Sequence, residues 1–204
     1  MTDKKKISVV IAVHDQEALL EQNLPRFLTV AGETDAEVIV VDDMSSDDTP
    51  NILKRMRGEY QQLYTTFLPV SSVLNPSRLR LALNVGVKAA KGDYVVLADI
   101  SRPPLSATWL LGLADGGAAL VYSSRKGNHV THIVADDLDD LQSAVLKAER
   151  KSGRGHKGRW QKRRRGLYDA ICVRRENVHR AVMLFDQPFR GWALACARMK
   201  VLFQ

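Results

Sequence analysis

The chain has 204 residues, of which 45% are hydrophobic, and this size and composition suit one folded domain with a packed core. No apolar run approaches the roughly 18–20 residues that a membrane-spanning helix needs. The first apolar stretch is too short for a signal peptide and is followed by charge, so a cytoplasmic location is expected. Two cysteines, Cys172 and Cys196, are too few for a disulfide framework and are expected to be reduced and partly buried.

The net charge of +7 is concentrated in one part of the chain. Residues 150–165 hold nine of the 30 Lys and Arg residues and no acid, so the rest of the sequence is close to neutral. This basic segment has three interpretations: a solvated loop, favoured by its glycines, a contact with anionic lipid headgroups, or a nucleic-acid contact. Nucleic acid is the least favoured partner, because only Trp160 and Tyr168 are available to stack on bases.

The first 100 residues alternate between apolar strands and helical segments. Three strands rich in Val and Ile are Ile7–Val13, Glu37–Val41 and Tyr94–Leu97. Between them the pattern predicts helices over 16–30, 50–60 and 77–91, and a strand over Tyr64–Pro69. Pro25 is expected to kink or end the first helix. Strands alternating with helices predict an α/β fold with a mostly parallel central sheet and helices on both faces.

The rest of the chain predicts five further elements. These are helices over Thr108–Asp115, Ala135–Lys151 and Glu176–Met183, and strands over Ala118–Ser123 and Tyr168–Val173. A GxGxxG turn that joins a predicted strand to a predicted helix, as in dinucleotide-binding folds, is absent, since the one such string, at residues 153–158, lies in the basic segment. The GxxxxGK[ST] phosphate loop is absent too, which argues against those two kinds of nucleotide site.

Acidic residues follow each of the three apolar strands. Asp15 comes after the first strand, Asp42 and Asp43 after the second, and Asp99 after the third. In open α/β sheets, ligands bind in the crevice beyond the carboxyl ends of the strands. The sequence therefore predicts a site for a polar ligand, a metal, or both at this edge of the sheet.

Three segments of the sequence resemble the signature segments of family 2 glycosyltransferases, which have the GT-A fold. They are Ile7–Asp15, Glu37–Thr49 and Gly92–Asp99, and the run from Asn84 to Gly92 also resembles that family. The resemblance covers about residues 5–123, in the family's order and spacing. It implies one GT-A-like domain over residues 1–204, with a nucleotide-sugar-binding half at 1–123 and an acceptor-side half at 124–204.

The resemblance implies roles for residues that bind the nucleotide of a UDP- or GDP-linked sugar. The matching positions after the first two strands are Ala12, His14, Glu17, Asp42 and Asp43. A carboxylate offers only acceptors, which suits an N–H of a base or a ribose hydroxyl. A helix cap is the alternative for Asp42, Ser45 and Asp47.

A second group of nucleotide-binding candidates precedes the third strand. Arg78 and Arg80 lie before Asn84, near where the family places basic residues toward the diphosphate. Arginine suits phosphate because it presents paired N–H donors. A solvated helix face is the alternative for either arginine.

The third strand carries the metal prediction. Mg²⁺ or Mn²⁺ held by carboxylates can neutralise the charge that develops on a diphosphate leaving group, and the family's usual element is Asp-x-Asp. The matching positions here are Asp99 and Ser101, so one carboxylate is retained and a weaker hydroxyl ligand replaces the other. The alternative is that Asp99 only caps its loop.

The general base is the least defined part of the prediction. Inverting members of the family use a late carboxylate, often in a Glu-Asp pair, worth about 10²–10⁴-fold in rate. The segment Phe185–Arg198 resembles that stretch, but Trp192 and Ala193 stand where the pair is expected. Asp186 is the candidate base, with a turn residue as the alternative.

The favoured function is transfer of a sugar from a nucleotide-diphosphate sugar to a polysaccharide or glycolipid acceptor at the cytoplasmic membrane face. The resemblance implies that the reaction is metal-assisted and inverting. A catalytically silent nucleotide-sugar-binding module is the alternative, because Ser101 and Trp192 replace expected acids. A nucleotidyltransferase of similar fold is less favoured, since no Gly-rich loop with Arg follows the first strand.

Overall fold

The computed structural model describes residues 5–68, 78–123, 130–141, 143–144 and 170–185. The basic segment 150–165, Asp186, Trp192 and Cys196 lie outside these residues. Predictions that concern them remain predictions.

Within the described residues, a seven-stranded sheet forms the centre of the fold. Its strands are β1 (Ile7–Val13), β2 (Glu37–Asp42), β3 (Leu63–Phe67), β4 (Tyr94–Ala98), β5 (Ala118–Ser123), β6 (Val130–Ala135) and β7 (Ala170–Arg174). Their order across the sheet is β3-β2-β1-β4-β7-β5-β6. The pairings among β3, β2, β1 and β4 are parallel, and those that join β7, β5 and β6 are antiparallel. The α/β class is confirmed, with the parallel part of the sheet built from the first 100 residues.

Helices cover both faces of the sheet. They are α1 (Glu17–Thr34), α2 (Thr49–Glu59), α3 (Arg78–Ala89), α4 (Ala107–Leu113) and α5 (Val178–Phe185). A short helical stretch also occupies residues 138–141 and 143–144. In the described part of the chain, no helix combines the length and the apolar character needed to cross a bilayer.

Successive side chains of each strand point to opposite faces of the sheet, so the interior is divided into two cores. Val9 and Ile11 of β1 pack in one core with α1, α2 and α4, whereas Val10 packs in the other with α3 and α5. All three side chains are at most 3% exposed. Strands buried on both faces read as continuous apolar runs, which is why β1 was recognisable from its sequence.

The first helix is longer than its sequence predicts. Helix α1 continues through Pro25 and ends at Thr34, so the expectation that Pro25 ends the helix was wrong. A proline inside a helix costs about 3 kcal/mol, but burial of a large apolar side chain contributes about 1.5–3 kcal/mol. Leu24 and Phe27 on either side of Pro25 are both buried, and together they offset the proline.

The other misassigned region is the start of the predicted helix over Ala135–Lys151. Ala135 ends the strand β6, which pairs antiparallel with β5 and was not predicted. The β-branched residues of Val130–Ala135 favour a strand. The helical stretch begins only at residue 138, after Asp137 accepts hydrogen bonds from the N–H groups of Asp139 and Asp140, both at 2.8 Å.

Helix α3 lies against the sheet at Gly86, where a side chain has no room. A Cβ at this position would lie 2.4 Å from Cγ1 of Val10 and 3.1 Å from Cγ2 of Val41. We expect Gly86→Ala to lower the free energy of unfolding by about 1–3 kcal/mol, measured by urea denaturation, because the helix must shift outward. Gly58→Ala is the control: nothing lies within 4 Å of its Cβ, so the helical preference of alanine should give slight stabilisation. Equal effects of the two changes would contradict this packing argument.

Candidate functional site

The carboxyl ends of β2, β1 and β4 form the edge at which the predicted site residues lie. β1 is between the other two strands, with Val13 opposite Asp42 and Ile11 opposite Ala98. Asp43 and Asp99 directly follow β2 and β4, so two strand spacings, or about 10 Å, separate their backbones across the sheet. This edge holds both acids on which the sequence prediction rests.

The loop that follows β2 holds Asp43 by its backbone. The Asp43 N–H donates to the Val13 carbonyl at 2.8 Å, and the Asp43 carbonyl accepts from Nδ1 of His14 at 2.7 Å. His14 therefore contacts the backbone of Asp43, and its ring is exposed. Ala12, another predicted contact, is half-buried in β1 and pairs with Val41.

The side chain of Asp43 is bound by Arg78, the first residue of α3. Nε of Arg78 donates to Oδ1 of Asp43 at 2.8 Å, and Nη2 donates to the same oxygen. The Asp43 side chain is only 12% exposed, so its charge needs a partner. The hydrogen bond to Asp43 in turn raises the pKa of Arg78. Within the described residues, no donor contacts Oδ2 of Asp43.

Three acids join the loop after β1 to the loop after β2, and we call Asp15, Glu17 and Asp47 the loop clasp. Oδ1 of Asp15 accepts from the N–H of Ser46 at 2.6 Å. Oδ2 of Asp47 accepts from the N–H of Glu17 at 2.9 Å, and Oε2 of Glu17 accepts from the N–H of Asp48 at 2.9 Å. The clasp fixes the two loops against each other beside Asp43.

Asp47 also serves the start of two helices. Its Oδ2 accepts from the N–H of Glu17, the first residue of α1, and its Oδ1 accepts from the N–H of Thr49, the first residue of α2, at 3.0 Å. These are N–H groups that lack partners inside a helix. Asp42 closes its own loop, accepting from the N–H of Ser45 at 3.0 Å and from its hydroxyl at 2.6 Å. A helix cap was the alternative for Asp42, Ser45 and Asp47. Asp47 caps two helices, whereas Asp42 and Ser45 bind each other in the loop before α2.

Two acids of the loop clasp make the folded protein less stable at acid pH. The hydrogen bond from the Ser46 backbone lowers the pKa of Asp15 from its ordinary 3.8. Burial alone would raise the pKa of Asp47, but hydrogen bonds from Thr49 and Glu17 outweigh it, so this pKa is lowered as well. Because both pKa values are lower in the folded state, these carboxyls bind fewer protons in the folded than in the unfolded protein. Their contribution to the free energy of unfolding is complete above pH 3.8, and it is lost as the pH falls through their folded-state pKa values.

We expect Asp47→Asn to reduce this acid sensitivity. Urea denaturation from about pH 6 to about pH 3 should show a steeper loss of stability for the wild type than for the variant. Asp93→Asn, at an exposed position before β4, should keep the wild-type slope. Identical slopes for wild type and Asp47→Asn would show that the carboxylate of Asp47 does not carry the effect.

The loop after β4 presents Asp99 at the same edge. Oδ1 of Asp99 accepts from the N–H of Ser101 at 2.9 Å, which is the loop-capping contact weighed as the alternative to a metal. Ile100 is buried, and its carbonyl accepts from Asn23 of α1 at 3.0 Å, so the loop is anchored from below. Ser101 is exposed. Among the residues that the structure describes, no three His, Cys, Asp or Glu side chains group closely enough to hold a metal by themselves.

The remaining predicted residues lie on α3 and in the core. Arg80 and Asn84 are both half-buried on α3, and the hydrogen bonds within the described chain do not join Asn84 to Asp43 or Asp99. Cys172 is fully buried in β7, and burial raises the pKa of its thiol to about 12, so it stays protonated. Cys172 forms no disulfide within the described residues, and it is buried more completely than the partly buried thiol that the sequence predicts.

Comparison with known proteins shows which family the segment that carries this site resembles. Residues 8–100 match the family described as glycosyl transferase family 2. This segment contains β1, β2, the loop clasp, Asp43 and Asp99. Over these residues the chain is similar to glycosyl transferase family 2, as the signature segments indicated.

Individual relatives support the same assignment. The chain is 30% identical over 95 residues to a poly(ribitol-phosphate) beta-glucosyltransferase of Bacillus spizizenii, covering 46% of this chain and 14% of that protein. It is 27% identical over 171 residues to an undecaprenyl-phosphate 4-deoxy-4-formamido-L-arabinose transferase of Proteus mirabilis, covering 81% of this chain and 51% of the relative. The chain thus spans between about a seventh and a half of the length of these two relatives.

A solved structure confirms the fold. A mannosyltransferase from Pyrobaculum calidifontis, in complex with GDP-Man and Mn²⁺, superposes with a TM-score of 0.54 at 20% identity. The match covers 88% of this chain and 47% of the mannosyltransferase. At this identity the likeness shows the shared GT-A-type architecture, and it extends beyond residues 8–100 into the antiparallel part of the sheet.

Proposed function

We propose that this protein transfers a sugar from a nucleotide-diphosphate sugar to a saccharide or lipid-linked acceptor. The observation that carries the proposal is that Asp43 and Asp99 follow the two strands flanking β1, within the family 2 segment. Their separation of about 10 Å suits a ligand with a nucleoside at one end and a diphosphate at the other. A UDP- or GDP-linked donor is the proposed substrate class, and GDP-Man in the mannosyltransferase complex supports it.

In this proposal, the nucleoside binds at Asp43. An ionised carboxylate accepts hydrogen bonds only, so it selects ligand groups that carry N–H or O–H. Its Oδ2 receives no donor from the described chain, whereas Asp42 and Glu17 already accept backbone N–H groups. We therefore assign the nucleoside contact to Asp43, and we assign Asp42 and Glu17 to loop structure. Ala12, His14 and Asn84 stay as proposed neighbours of the nucleotide.

A divalent metal fits the other end of the site if the donor supplies part of its coordination. Mg²⁺ binds through one or two carboxylates together with waters and substrate phosphates, so Asp99 with Ser101 is a sufficient protein share. When bound, Mg²⁺ or Mn²⁺ would neutralise charge on the diphosphate leaving group. Mn²⁺ in the mannosyltransferase complex supports a metal at this fold. Asp99 would hold the diphosphate end of the donor beside β4 through that cation, because the two anions repel each other directly.

The proposal for the acceptor rests on the names of two relatives and on the basic composition of residues 150–165. The two transferases described above have names that include poly(ribitol-phosphate) and undecaprenyl-phosphate, and both terms denote phosphate-bearing molecules. We propose an anionic saccharide or lipid-linked acceptor, met at the cytoplasmic membrane face by the basic segment 150–165. Inversion at the sugar carbon, with Asp186 as general base, is proposed from the resemblance alone.

A donor screen with purified protein tests the function. UDP- and GDP-linked hexoses are incubated with Mn²⁺ or Mg²⁺, and released UDP or GDP is measured with and without chelator. We expect donor hydrolysis or transfer with at least one donor, abolished by chelation. Absence of both reactions with every donor would contradict the proposal of an active enzyme.

A binding module without turnover is the second candidate, favoured by Ser101 at the place of a second metal-binding acid. Calorimetry separates the two candidates when it is paired with the screen. Donor binding in the micromolar to millimolar range without any release of nucleotide would support the module.

A further inference from the structure

Arg78 binds only one of the two carboxylate oxygens of Asp43. Two nitrogens of the guanidinium, Nε and Nη2, both donate to Oδ1. The second oxygen of the carboxylate, Oδ2, has no donor within the described chain. Arginine therefore holds one oxygen and leaves the other available to a ligand.

Asp43 needs the contact with Arg78 because its carboxylate is buried. Its side chain is 12% exposed and that of Arg78 is 32% exposed, so the carboxylate is more enclosed than its partner. A buried carboxylate without a partner is strongly disfavoured in its charged form. Arg78 supplies the opposite charge, and its planar pair of donors also fixes the rotation of the carboxylate.

We propose that Arg78 is a positioning residue that holds Oδ1 of Asp43 and directs its Oδ2 toward the nucleoside. This inference rests on the proposed function and differs from the expectation that Arg78 contacts the diphosphate. Its consequence is specific: the effect of Arg78 on affinity passes through the nucleoside, and it should not depend on how many phosphates the ligand carries.

A ligand series of increasing phosphate number tests the proposal. Binding of uridine, UMP and UDP, and of guanosine, GMP and GDP, is measured by calorimetry for the wild type and Arg78→Ala. We expect Arg78→Ala to weaken every ligand that the wild type binds by a similar factor, about 10–100-fold. The control Lys88→Ala, at an exposed position in the last turn of the same helix, should leave affinity unchanged. A loss at least tenfold larger for the diphosphate than for its nucleoside would overturn the proposal and make Arg78 a phosphate ligand.

Two further variants keep the test decisive if Arg78→Ala folds poorly. Arg78→Lys retains the charge but not the paired donors, so we expect a loss that is again independent of phosphate number. A phosphate ligand would tolerate lysine, which binds phosphate as a point charge. In an Asp43→Asn background, removing Arg78 should cost little more, and fully additive losses would overturn the proposal. Failure of the wild type to bind any of the six ligands would overturn the proposed function, and this inference with it.

Discussion

Replacing Asp99 with Asn is expected to lower sugar transfer by about 10²–10³-fold, which is the usual effect of removing one group that stabilises developing charge. Asn keeps the shape of the side chain and can still accept from the Ser101 N–H, so the loop should persist. What is lost is the negative charge that a divalent metal requires. The measurement is the rate of nucleotide release at saturating Mn²⁺, with the thermal midpoint confirming that the variant is folded.

The control for this change lies at the other end of the same strand, β4. Asp93 is an exposed acid just before β4, at the opposite edge of the sheet from Asp99. Asp93→Asn should transfer sugar at the wild-type rate. Ser101→Ala should have a smaller effect than Asp99→Asn, because a hydroxyl is the weaker ligand. Wild-type activity in Asp99→Asn would remove Asp99 from the mechanism.

Replacing Asp43 with Asn is expected to weaken nucleotide binding by about 10–100-fold, because a hydrogen bond to a charged acceptor contributes about 1.5–3 kcal/mol. The amide can also turn its NH₂ group toward Arg78 or toward the ligand, where only an acceptor fits. Binding of UDP and GDP is measured by calorimetry. This change acts on affinity, whereas Asp99→Asn acts on turnover.

Glu33→Gln serves as the control for Asp43. Glu33 is an exposed acid near the end of α1, and the conversion of an acid to an amide there should leave affinity unchanged. Equal affinity of Asp43→Asn and wild type for every nucleotide tested would contradict the assignment of the nucleoside to this edge of β2.

The strands of the parallel half could be predicted because they are buried on both faces and read as unbroken apolar runs. Ile7–Val13 is the clearest example, and its predicted bounds are those observed. Two local rules failed elsewhere. Pro25 lies inside α1 because the tertiary burial of Leu24 and Phe27 outweighs the proline, and β6 depends on pairing with β5, which periodicity does not report.

The site was predictable in its position and less so in its contacts. The placement of Asp43 and Asp99 at one edge was predictable because each follows a parallel strand, whereas the order of the strands required the structure. The loop clasp joins residues about 30 positions apart, such as Glu17 and Asp47, and no local pattern reveals such a pairing. The cluster of Ser and Asp before α2 was the available signal, and it indicated one helix cap where the structure has a shared one. Arg78 likewise required the structure to reveal its contact with Asp43.

The most direct test is a crystal structure of the protein with UDP or GDP and Mn²⁺. We predict a nucleoside hydrogen-bonded to Oδ2 of Asp43, a diphosphate extending across the end of β1, and Mn²⁺ bound between that diphosphate and Asp99. A nucleotide found away from these two acids, in a protein whose edge at β2, β1 and β4 stays empty, would contradict the account.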